Sequence, residues 1–310
     1  MHKKILLPVD ASLHSRHAVD YALRMAPSVG DLRYVLFHVQ PMISGFLQDE
    51  SRKSVKAKAE LERVKARNEK AALDLLKGCK DRMVQMGIAA EHIEMTTAVR
   101  KMGPAKDILN FAEQRRFDAV IMARRGISLL QKKLMGSTSA ELLEHSRLIP
   151  VWVVDGHVTS DKLLVAVDGS TASLRALDHV VFMVADTPAT FLTLFHIKVD
   201  ARNACSIDFE ETPSQELTDI IARGEERCVD DFQAQARELF RRFAVGRDRY
   251  AIETARSVRN VGKAILNKAR REGFGTIVIG RSGISKSFFM GSVSRYVIDH
   301  AADLALWVVT

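Results

Sequence analysis

Residues 117–128 read FDAVIMARRGIS, and residues 274–285 read FGTIVIGRSGIS. Each carries an apolar run, at 119–122 and 276–279, and then an arginine followed two residues later by glycine. Working outward, residues 3–10 (KKILLPVD) match 161–168 (DKLLVAVD), 35–40 (VLFHVQ) match 193–198 (TLFHIK), and 150–154 (PVWVV) match 304–309 (LALWVV). The order is the same in both halves. A fixed-order recurrence of this kind marks a duplicated unit. The repeats part in the turn-like stretch 155–161 (DGHVTSD), which sets the domains at 1–156 and 157–310.

Each half alternates strand and helix signals. In the first, strands are predicted at 3–9, 32–39, 92–99, 118–123 and 150–154, and helices at 12–26, 48–86, 104–115 and 137–146. In the second, helices are predicted at 170–184, 214–243, 260–271 and 292–300. The strands are continuous apolar runs, so both their faces are covered, as in a parallel sheet. The fold class is therefore α/β: two tandem, doubly wound, five-stranded parallel-sheet domains of Rossmann-like type. An unpaired apolar edge is an aggregation hazard, so the halves are expected to pack as a pseudo-dimer through their last strands.

Composition bounds the function. The chain has 310 residues, 47% hydrophobic and 27% charged, with a net charge of +8. No apolar run reaches the roughly 18 residues of a membrane span, and the five apolar residues after Met1-His2-Lys3-Lys4 are too few for a secretion signal. Cys79, Cys205 and Cys228 form no CxxC pair, which fits a reducing compartment. The expectation is a cytoplasmic chain with no membrane partner. Much of the positive charge falls in 52–70 (RKSVKAKAELERVKARNEK), where Leu61, Val64 and Ala71 form a helical stripe. With no aromatic residues among the lysines, this reads as a solvated helix face and not as a nucleic-acid surface.

In doubly wound sheets ligands bind at the carboxyl ends of the strands. Asp10-Ala11-Ser12, His38-Val39-Gln40 and residues 123–138 lie there in the first half. A helix opening at Gly136-Ser137-Thr138 offers free N–H groups, a positive dipole end and hydroxyls, with Arg124 and Arg125 nearby, which makes a phosphate cradle. There is no G-x-x-x-x-G-K-[ST], G-x-S-x-G or H-E-x-x-H. Gly273-Phe274-Gly275 precedes its strand, so it is no dinucleotide fingerprint. Asp10 and Asp168 have no partner carboxylate, which favours a hydrogen bond to a ribose hydroxyl over catalysis. His14 and His17 read as surface or capping histidines, and no metal site is assigned. The bland alternative for Gly136 and Gly291 is helix capping alone; its recurrence after equivalent strands favours a nucleotide pocket.

The duplicated pattern resembles a tandem universal stress protein, with two adenine-nucleotide α-hydrolase-like domains. The resemblance covers nearly the whole chain and rests on G-x2-G-x9-G-[ST] with an aspartate after the first strand. It implies that Val9 and Val39 flank adenine, that Asp10 meets adenine or ribose, and that Gly126, Gly136, Ser137 and Thr138 hold phosphates. The second-half counterparts are Val167, Asp168, Ile197, Gly280, Gly283, Gly291, Ser292 and Val293. Both copies depart from the pattern. The first has Ala123 for the leading glycine but keeps the nine-residue spacing; the second keeps its glycines but has only seven residues, 284–290, between Gly283 and Gly291. A shortened loop redraws the phosphate site more than one methyl group does, which favours the first half.

The resemblance thus implies a stress-response protein holding ATP or another adenine nucleotide, with or without magnesium, as a regulatory ligand. The alternative is an interaction module of the same fold with degenerate pockets and protein partners. As an enzyme the chain would manage at most slow ATP hydrolysis or self-phosphorylation at Ser137 or Thr138, since no positioned general base accompanies them. A homodimer is left open by the sequence.

Overall fold

A computed structural model describes residues 2–124, 136–198, 214–255, 260–282 and 290–310. The chain forms two compact units. The first gathers Met1–Leu23 and Asp31–Val151; the second gathers Arg24–Gly30 and Trp152–Thr310.

In the first unit, strands β1 (Lys3–Pro8), β2 (Leu32–Gln40), β3 (Ile93–Val99) and β4 (Ala119–Ala123) are all parallel, in the order β3-β2-β1-β4. Lys3 pairs with Leu32 and Pro8 with Phe37, so β1 and β2 run in register along their length. The centre of β1 is sealed by burial of Ile5, Leu6 and Leu7. Phe37 of β2 stacks on Phe111 of helix α4 (Pro104–Gln114), 4.3 Å between ring centroids. The other helices are α1 (Leu13–Met25), α2 (Gly45–Ser51), α3 (Val55–Gln85) and α5 (Ser137–His145). The single helix expected over 48–86 is thus two. Ser54 breaks it by capping the second, accepting a hydrogen bond from the Ala57 N–H at 3.4 Å. Ser at an N-cap satisfies one of the donors that a new helix start exposes. The charged stretch is helical from Val55 onward, and only Leu61, Ala72, Leu76 and Met83 of α3 are buried. Strand β5 (Val151–Val154) completes the strands predicted for the first repeat, with Trp152–Val154 falling in the second unit.

The second unit carries β6 (Leu163–Val167), β7 (Leu192–Ile197), β8 (Tyr250–Ala255), β9 (Thr276–Gly280) and β10 (Ala305–Val309) in the order β10-β9-β6-β7-β8, all parallel. Its helices are α6 (Thr171–Val184), α7 (Gln215–Arg242), α8 (Val261–Glu272) and α9 (Ser292–His300). Trp152 and Trp307, both fully buried, stack at 3.6 Å with 5° between their planes. In each unit the first strand of the repeat lies between the second and fourth, so chain order reverses beside it. That reversal opens the crevice where a doubly wound sheet holds its ligand. Among the described residues no helix is long and apolar enough to cross a membrane.

Candidate functional site

The two aspartates that follow β1 and β6 are built into matching turns. Asp168 Oδ1 accepts from the Ser170 N–H at 3.0 Å and the Ser170 hydroxyl at 2.6 Å. Ser170 Oγ accepts in turn from Ser173 N at 3.1 Å and caps α6. Asp10 does the same with Ser12, at 3.0 and 2.5 Å, and Ser12 Oγ accepts from Ser15 N. The carboxylates therefore shape the strand-to-helix turn. Among the described residues the hydrogen bonds accepted by each carboxylate fall on Oδ1.

A second matching pair was not singled out from the sequence. His38 Nδ1 lies 2.8 Å from the Val9 carbonyl, and His196 Nδ1 lies 3.0 Å from the Val167 carbonyl. A carbonyl only accepts, so Nδ1 carries the proton in both rings. Each histidine thus ties the second strand to the residue before the aspartate. The signal was present as the repeated Phe-His of VLFHVQ and TLFHIK, but a histidine in an apolar run carries no mark of its partner 29 residues away.

At the other end, Gly136 and Gly291 are the N-cap residues of α5 and α9, and no side chain caps either helix. Their φ angles, −60° and −61°, are open to any residue. Glycine is therefore not required there by backbone conformation; what it provides is bare backbone for close approach. Gly136 N donates to the Arg124 carbonyl at 2.8 Å and Gly291 N to the Arg281 carbonyl at 3.0 Å. Gly280 has a different task. A Cβ there would lie 2.7–2.9 Å from the carbonyl carbon, carbonyl oxygen and Cβ of Ala172, in the first turn of α6. Its missing side chain lets β9 pack onto α6.

These pieces meet in a cavity of about 290 Å³ in the second unit. Val167 and Asp168 from the end of β6, Ile197 from β7, Gly280 from β9, and Gly291, Ser292 and Val293 from the start of α9 all line it. Phe195, Val261, Ile265 and Ile279 add apolar wall that the sequence reading did not include; Val261 and Ile265 are spaced i, i+4 on one face of α8. Its lining thus combines apolar wall, a carboxylate and an uncapped helix start. Such a site can sandwich a flat apolar ring, hydrogen-bond hydroxyls and receive an anion. In the first unit, Val9 is buried, Asp10, Val39, Gly136 and Thr138 are half-buried, and Ser137 is exposed. Gly126 and Gly283 lie outside the described residues, as do most of the nine- and seven-residue spacers. His14 and His17 meet edge to face, 6.1 Å between centroids.

A parallel sheet with an aspartate turn at its switch point and a glycine-started helix beside it defines a doubly wound, Rossmann-like α/β protein. Comparison narrows the class. The universal stress protein family profile matches residues 1–155 and again 159–306, and the chain belongs to that family. A universal stress protein of Mycolicibacterium smegmatis is 29% identical over 239 residues, 73% of this chain and 76% of that one. A universal stress protein of Methanocaldococcus jannaschii is 27% identical over 154 residues, 50% of this chain and 82% of its own. The crystal structure of a universal stress protein from Archaeoglobus fulgidus covers 99% of this chain and 98% of its own, with a TM-score of 0.64 at 20% identity, and shares the fold.

Proposed function

We propose that the chain binds an adenine nucleotide, ATP in the first instance, as a regulatory ligand in the cavity of its second repeat. Val167, Ile197 and Val261 hold the base, Asp168 Oδ2 accepts from a ribose hydroxyl, and the N–H groups opening α9 receive phosphate. The observation that carries this reading is the convergence of apolar wall, carboxylate and uncapped helix start on one cavity. Its volume of about 290 Å³ sits at the small end of ligand pockets, roughly 300–1,000 Å³, which suits a nucleoside moiety with its phosphates directed to the mouth. Asp168 is the one ionisable side chain among the described lining residues, and in this reading the nucleotide is a ligand rather than a substrate.

The test is thermal melting with calorimetry on the whole chain, using ATP, ADP and AMP with and without magnesium. ATP at about 100 times its dissociation constant stabilises the fold by about 2.7 kcal/mol. For domains of this size that raises the midpoint by roughly 5–10 °C. Gly291→Val should remove the shift, because a branched side chain blocks approach of phosphate to the backbone. If Gly136→Val removes it and Gly291→Val does not, the ligand sits in the first repeat, with its nine-residue spacing. No shift and no heat with any nucleotide would leave the interaction-module reading.

A further inference from the structure

A helix start binds an anion well only if its first turn is held still, with its N–H groups aimed at one point. What holds α9? Its length is nine residues, Ser292–His300, and its N-cap, a glycine, contributes no side-chain bond. The structure supplies a different tie. The Ser294 hydroxyl donates to the Gly280 carbonyl at 2.8 Å, and the Gly291 N–H donates to the Arg281 carbonyl at 3.0 Å. Ser294 is buried, lines the cavity, and stands three residues past the N-cap. In a capping box the Glu or Gln at that position reaches back along its own helix to the N-cap backbone. Here the hydroxyl leaves the helix and fastens it to the last residue of β9.

The first repeat has the same tie. The Ser139 hydroxyl donates to the Ala123 carbonyl at 2.8 Å, with Gly136 N on the Arg124 carbonyl. The tie is present in both copies although the residues around it differ: Ala123 against Gly280, and Thr138 against Val293. The bond therefore depends on neither the leading glycine nor the second hydroxyl of the phosphate segment. It depends on the serine alone.

We propose that Ser294 is a positioning residue for phosphate. By anchoring the first turn of α9 to the Gly280 carbonyl, it fixes the Ser292 and Val293 N–H groups at the mouth of the cavity. This rests on the nucleotide reading above and deepens it by separating the part of the site that holds phosphate from the part that holds the base. Val167, Ile197 and Val261 belong to other elements, so loosening α9 leaves the base wall in place. A merely structural serine, kept to satisfy the Gly280 carbonyl, would weaken both parts alike when removed.

The experiment compares ADP with adenosine by calorimetry on the whole chain, scoring the site that Gly291→Val removes. For Ser294→Ala the expected result is an ADP affinity lower by about tenfold, the scale of one hydrogen bond's worth of positioning, with adenosine affinity unchanged. Ser294→Thr, which restores the hydroxyl, should recover ADP binding. Should the alanine chain not fold, Ser294→Cys gives the same reading, since a thiol of similar volume is a weak donor; its ADP affinity should fall and its adenosine affinity should not. Parallel loss for both ligands, or no loss for ADP, overturns the positioning role while leaving nucleotide binding intact. A wild-type chain that binds neither ADP nor adenosine overturns the nucleotide reading itself, and this inference with it.

Discussion

At the residue scale, His179 of α6 is an ionisable ring held inside an aromatic core. Trp152 Nε1 donates to its Nε2 at 3.1 Å, and its ring stands edge-on to both Trp152 and Trp307, 5.8 Å from each centroid. Burial takes its pKa from the usual 6.5 down to about 3, because a charged ring would lose its hydration and Nε2 would cease to accept. The unfolded chain binds a proton here near pH 6.5 and the folded chain does not until about pH 3. The stabilisation is therefore complete above pH 6.5 and is lost progressively as pH falls through that window. Its full size is on the order of a few kcal/mol. His179→Gln keeps an acceptor for Trp152 but does not titrate. In urea unfolding from pH 7 to pH 4, the stability of the wild type relative to this variant should fall steadily. A constant difference would contradict the buried neutral ring. Little of this is legible in the sequence, where Trp152, His179 and Trp307 are far apart and only the fold brings them together. The same holds for Ser139, Ser294, His38 and His196, whose partners lie 14 to 29 residues away. Asp10 and Asp168 were legible because an aspartate directly after a buried strand is a local pattern.

At the element scale the sequence is a better guide. Apolar runs and 3.6-residue periodicity are local, and the strands and most helices fall within a residue or two of where those patterns place them. The break at 52–54 was hidden because arginine, lysine and serine read as an ordinary solvated helix face. Contacts between elements were harder to read. Gly280 stood out as a residue of the phosphate motif, yet its surroundings make it the point where β9 meets α6. The prediction belongs to that contact. Gly280→Ala sets a methyl group against the Ala172 backbone, where backbone gives less readily than a side-chain tip. The expected loss is about 1–3 kcal/mol in urea unfolding. An unchanged midpoint would mean that β9 can draw back from α6 and that the glycine serves the ligand alone.

For the whole molecule, repeat and compact unit are different properties. The sequence repeats part in residues 155–161, whereas the compact units part between Val151 and Trp152, with Arg24–Gly30 also belonging to the second unit. The duplication was plain from the ordered matches. The place of Trp152 was not, because a tryptophan in PVWVV has the same apolar surroundings whichever core it enters. A chain of residues 157–310 alone would lack Trp152, leaving Trp307 without its stacking partner and His179 without its donor. Losing a buried aromatic side chain costs about 3–5 kcal/mol, so its midpoint should lie roughly ten degrees below that of the second unit in the whole chain. Equal midpoints, by calorimetry, would show that the second repeat is self-sufficient.

The Trp152–Trp307 stack also decides what light can report about this protein. These are the chain's two tryptophans, and both lie face to face in the core of the second unit. Excitation near 295 nm, roughly where indole absorbs and tyrosine does not, therefore interrogates one spot, and the first unit is dark to it. Emission and far-ultraviolet circular dichroism will trace the same melting curve only if the two units open together. A dichroism change that precedes the loss of tryptophan signal would be the first unit unfolding unseen by the fluorophores.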